Sequence, residues 1–318
     1  LKTTQIQALT TVQISTGLTT TQVQALTSSE LAALTTTQIK SGLTTDQVVA
    51  LGTNQVTAFT TAQVQAFTTD QIQALETRDL VVLTTGQIAA LTTSQVNALT
   101  TDQIVALGTN QASAITTAGI QALGTDQLQA METRDLAVLT TGQIAALTTK
   151  QVNALTTDQV VALGTNQVSA ITTAGIQAMS TDQIAVLETR DLAVLKTTQI
   201  QALTTVQIST GLTTTQVQAL TTTQVLALTT TQIQSGLSTD QVAALETRDL
   251  VVLTTTQIKA FSTDQIVAMT TSQVKALTTT QVEALTSSQI NVMSTDQITQ
   301  LAVGSPLILD LTGDGVTT

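Results

Sequence analysis

The sequence predicts an all-α solenoid of very short helices, one per eight-residue repeat. Three observations lead there: an octad that runs almost unbroken over residues 2–301, a helix-start signature at the head of each octad, and an apolar spacing that no continuous helix can bury. Segments such as Thr44-Thr-Asp-Gln-Val-Val-Ala-Leu51 and Thr68-Thr-Asp-Gln-Ile-Gln-Ala-Leu75 define the unit as T-T-x-Q-[IV]-x-A-L. There are 37 units, and four of them carry one extra residue beside Gly17, Gly42, Gly211 or Gly236. Position 2 is Thr or Ser in every unit.

The apolar spacing forbids one long helix. Eight residues at 3.6 per turn rotate an apolar stripe by about 80° per repeat, so no fixed face remains to bury. Each octad must therefore break and restart. The restart is written in the residues: Leu before the cap, Thr or Ser at the cap, Gln three residues on and Ile or Val next, which combines a capping box with a hydrophobic staple. In Leu43-Thr-Thr-Asp-Gln-Val48, Thr44 caps, Gln47 reaches back and Leu43 packs on Val48. Gly108 and Ser180 are acceptable at the cap position, whereas Glu76 and Lys196 are poor there. Positions 4, 5 and 8 then share one face, and the small residue at position 7 lets neighbours approach closely. The strict hydroxyl at position 2 has no place in this scheme. A β-solenoid is the alternative, because Thr, Val and Ile favour strands. Against it, positions 2, 4, 5, 7 and 8 do not alternate with period two, and Gln, Ala and Leu prefer helix. In either form one octad cannot fold alone, and stability comes from stacked neighbours.

A longer rhythm lies over the octad. The charged variant Glu-Thr-Arg-Asp-Leu starts at Glu76, Glu132, Glu188 and Glu246, which sets seven-unit blocks at 76–131, 132–187, 188–245 and 246–301. Residues 1–26 recur verbatim at 195–220. Duplication accounts for these identities. A seven-unit superhelical turn would also do so, and would set Arg78, Arg134, Arg190 and Arg248 beside carboxylates of adjacent turns.

Composition narrows function. Charged residues are 10% of the chain, against about 25% in ordinary domains, while apolar residues stay at 42% with a mean hydropathy of +0.29. Such a chain is biased rather than disordered, because its evenly spaced Ile, Val and Leu demand burial. A net charge of −11, thinly spread and without a basic patch, argues against nucleic acid as a partner. No run of 18 apolar residues predicts membrane insertion. Without Cys, disulfides and thiol chemistry are excluded. The Thr and Ser hydroxyls have no His or catalytic Lys constellation around them, so no enzymatic activity is expected. The first residue falls inside a repeat, which reads as a segment of a longer polypeptide.

After Leu301 the pattern changes, and 302–318 reads as the start of a different region distinct from the 1–301 repeat domain. Pro306 and three glycines mark the boundary. Asp310, Thr312 and Asp314, followed by Gly315, match the first half of a D-x-[DN]-x-[DN]-G loop, in which alternating oxygens face a calcium ion. Thr312 departs from the usual Asp or Asn. A plain Gly-Asp turn after the apolar run Leu307 to Leu311 is the competing reading.

The segment Ser305-Pro-Leu-Ile-Leu-Asp-Leu-Thr-Gly-Asp-Gly-Val316 resembles S-P-L-x-L-D-L-x-G-D-G-[IV] of large bacterial secreted proteins of the giant adhesin and repeats-in-toxin-related class, and the octads look like repeats of long proteobacterial proteins. This resemblance implies a cell-surface or extracellular location and a structural or adhesive role. The expected function is a stalk, spacer or self-assembling filament or surface-layer subunit, with self-association into a homopolymer as the partner prediction. The alternative is an adhesive, ice-binding or glycan-binding module that uses regular Thr ladders.

Overall fold

The computed structural model describes residues 2–304, which are helical throughout with no strand among them. The β-solenoid alternative is thereby set aside. Each octad contributes one helix beginning at position 2, mostly of about one to one and a half turns, as in Thr45–Val49, Thr61–Ala66 and Thr93–Ala98, while the last runs on over Thr295–Gly304. The reason for the break is visible in the dihedrals. Leu99 at position 8 is extended (φ −56°, ψ 136°), and Thr100 at position 1 is extended again (φ −73°, ψ 160°). Two extended residues in succession turn a corner, and the next helix starts from a new cap.

The octads wind into turns, and the described residues fall into two compact units divided between Leu163 and Gly164. Within the first unit, Thr61–Ala66 packs on Thr85–Ala90 and Thr93–Ala98 on Thr117–Ala122, three octads apart. In the second, Thr255–Ala260 packs on Thr279–Ala284 in the same way. Side-chain links reach four octads back, as from Gln95 to Val64. One turn of the coil therefore lies between three and four octads, so seven octads make about two turns rather than one.

The interior is a column of position-5 and position-8 side chains. Val48, Leu51, Ile104, Leu107, Ile208 and Leu220 are buried, and so are most of their equivalents in each unit. Each such Val, Ile or Leu contributes about 1.5–3 kcal/mol by leaving water. Phe59 and Phe67 meet edge to face in this column, with ring centroids 5.1 Å apart.

Three of the four nine-residue units keep the register by widening one helical turn. Leu43, Leu212 and Leu237 donate N–H to the carbonyls five residues back, at Gln38, Gln207 and Gln232, which absorbs the extra residue as a π-type turn. The widened backbone lies on the turn beneath: a Cβ on Gly211 would stand 3.2 Å from Ile184 Cβ, and one on Gly42 would stand 3.3 Å from Ile14 Cβ. Glycine is needed at these places for close approach.

Candidate functional site

The side chain that organises the molecule is the position-4 glutamine. Gln95 shows its four roles. Its backbone N–H donates to Thr92 Oγ1 (3.3 Å), and its Oε1 accepts the Thr92 N–H (2.8 Å), which completes the predicted capping box. Its Nε2 then donates to the carbonyls of Val64 and Phe67, each at 2.8 Å, four octads earlier. These carbonyls end a helix and the corner after it, so the glutamine caps its own helix at the front and another helix at the back. The pattern repeats at Gln103 on Ile72 and Leu75, Gln143 on Ala112 and Ile115, and Gln273 on Val242 and Leu245. Buried polar groups must be paired, and here a primary amide pairs three backbone groups at once.

The caps that lack a hydroxyl behave as their chemistry dictates. At Lys196 and Gly108 no side chain caps the helix, yet Gln199 and Gln111 still accept the N–H of the cap residue, at 2.7 and 3.1 Å. At Glu76 neither half of the box forms.

In the charged octads only two of the three charges are solvated. Arg78 Nε lies 2.6 Å from Glu76, and both side chains are substantially exposed. Asp79, in contrast, is fully buried, because it occupies the glutamine position. The same holds for Asp135, Asp191 and Asp249. Burial pushes these four carboxyls above the ordinary aspartate range; the neighbouring arginine partly offsets this, and the neighbouring glutamate adds to it. The expected ladder between turns does not form: each arginine pairs within its own octad, Arg134 with Glu132 and Arg248 with Glu246. With about two turns between charged octads, the neighbouring turns bring neutral ones instead.

Position 2 is the first helical residue, and its hydroxyl-bearing side chain is never buried in the described octads. Nothing in its hydrogen bonding explains why this position is always Thr or Ser. Among the described residues, no group of three or more His, Cys, Asp or Glu side chains is placed to hold a metal ion. The calcium motif at Asp310, Thr312 and Asp314 lies outside the described residues. No described helix is long and apolar enough to cross a membrane.

The burial of Asp79 and the reach of each glutamine to another turn were missed in the sequence. The available signal was the near-constancy of Gln at position 4, beyond what one capping bond requires.

The model of the ALTTAQ repeat family matches residues 26–61, 42–77, 72–109, 128–165, 184–222, 242–279 and 274–303, which is more than half of the chain. No match to a curated relative emerges from the sequence. Among solved structures, the leucine-rich repeat-containing protein LegL7 from Legionella pneumophila is similar at 8% identity over 83% of this chain and 88% of that one, with a TM-score of 0.20. That likeness is too slight to support an argument.

Proposed function

Because this chain belongs to the ALTTAQ repeat family, we propose that it serves as a structural element, a stalk, spacer or self-assembling filament or surface-layer subunit at the bacterial cell surface. One observation carries this reading: the buried side chains of most octads are spent on holding other octads, through the glutamine links and the position-5 and position-8 column. A chain built this way gains material by adding octads without redesigning any of them. The location rests on the resemblance of the 305–316 segment to secreted bacterial proteins. Electron microscopy of the purified chain tests assembly, with ordered polymers expected and uniformly dispersed monomers counting against a filament.

A second reading, adhesion to a periodic ligand such as a glycan or ice, is favoured by the outward hydroxyl at position 2 of every octad. Aromatic platforms for sugar stacking are scarce, since Phe is the only aromatic residue and its three copies, Phe59, Phe67 and Phe261, are all buried. A thermal-hysteresis assay decides the ice-binding form, and no activity would remove it.

A further inference from the structure

Besides Glu30, which holds position 4 of its own octad, four octads replace the amide donor there with an aspartate, and three of these aspartates can be followed within one unit. Gln71 and Gln87 reach Ile39 with Leu43, and Val56 with Phe59. The register between them sets Asp79 over the carbonyls of Val48 and Leu51. In the same way, Asp135 falls between Gln127 and Gln143, over Ile104 and Leu107. Asp249 falls between Gln241 and Gln257, over Val217 and Leu220. Val48, Ile104 and Val217 accept the N–H of the leucine three residues on, but among the described residues no donor reaches the carbonyls of Leu51, Leu107 and Leu220. All three leucines are buried.

The carboxyls are orphaned as well. Neither oxygen of Asp79, Asp135 or Asp249 has a hydrogen-bond partner. The adjacent arginine Nε stands 3.6, 3.8 and 3.9 Å away and is engaged by its glutamate. An ionised carboxylate is an acceptor only, so it cannot bond to a carbonyl, whereas a neutral carboxyl has one O–H to donate.

We propose that the position-4 aspartates of three charged octads, Asp79, Asp135 and Asp249, are acid-operated latches between turns. Protonated, each donates its O–H to the leucine carbonyl four octads back and takes over one of the two bonds a glutamine would make. Ionised, it leaves two buried acceptors facing each other, and the joint loosens at that octad alone.

The surroundings agree. Besides Glu76 and Arg78, the segments around Asp79 carry Asp46, Asp70 and Asp102, all exposed; Thr53–Val56 and Thr85–Ala90 carry no charge. Around Asp135 the corresponding groups are Glu132, Arg134, Asp102, Asp126 and Asp158, and around Asp249 they are Glu246, Arg248, Asp240, Lys259 and Lys275, the last three exposed. Burial raises each latch carboxyl above the ordinary value of 3.8. Stabilisation is therefore complete below that value and is lost as pH rises through the folded pKa.

Hydrogen exchange on the full chain, corrected for intrinsic rates, tests the latch. From about pH 4 to about pH 7, protection across 76–83 should fall relative to the flanking octads, by about tenfold for each pH unit by which the carboxyl pKa is raised. Asp79→Asn and Asp79→Gln supply a neutral donor and should abolish the fall, and a carboxyl ¹³C titration of Asp79 should follow it. Protection independent of pH, an equal fall in both variants, or recovery at neutral pH on adding sodium or calcium at constant ionic strength would overturn the proposal.

Discussion

A single residue type, glutamine at position 4, satisfies backbone groups that helices this short would otherwise leave open. Short helices are costly because most of their N–H and C=O groups lie in the first or last turn. The amide resolves this by accepting at one end and donating at the other, which no carboxylate does at neutral pH. Gln95→Glu should therefore keep the cap oxygen and lose both bonds to Val64 and Phe67. We expect a loss of about 2–4 kcal/mol at neutral pH, read from urea unfolding and partly recovered in acid. Thr92→Ala removes one cap bond, and about 1 kcal/mol is expected in the same assay. The capping half of this chemistry is legible in the sequence because Thr and Gln lie three residues apart. The other half is not, since Gln95 and Val64 lie 31 residues apart and meet only once the number of octads per turn is set. Asp79 was misjudged for the same reason: beside Arg78 and Glu76 it reads as part of a surface cluster, and only the register reveals that it takes the buried place.

At the scale of the helix, the break after each Leu was predictable from the octad's mismatch with 3.6 residues per turn. The response to insertion was less so. An added residue beside Gly42, Gly211 or Gly236 widens one turn instead of looping out, and this works only where no side chain blocks the approach. Gly211→Ala should press on Ile184 Cβ at 3.2 Å and on the Thr181 carbonyl at 3.3 Å. A cost of about 1–3 kcal/mol is expected, measured by thermal unfolding. Gly108 differs: its φ of −89° suits any residue, and nothing lies within 4 Å of where a Cβ would be. Gly108→Thr should be tolerated and should gain a few tenths of a kcal/mol from the restored cap.

Across the whole molecule, the seven-octad blocks and the coil agree in number, since seven octads make about two turns. Charged octads are thereby kept off the immediately neighbouring turns, where carboxylates would repel. Duplication alone produces the identity of the blocks, while inside a unit seven octads fill about two turns. Removal of residues 76–131, one full block, should leave helicity per residue unchanged in far-UV circular dichroism. Removal of four residues from that block should not, because it breaks the octad and misplaces every glutamine link across the cut.

The glutamine links are tested most directly by paired alanine substitutions in the full chain, with thermal unfolding as the readout. Gln103→Ala removes a buried amide bonded to Thr100, Ile72 and Leu75, whereas Gln73→Ala removes an exposed one at position 6. The first should destabilise by about 2–5 kcal/mol and the second by less than about 0.5 kcal/mol. Equal effects from the two substitutions would contradict a solenoid held together by its position-4 glutamines.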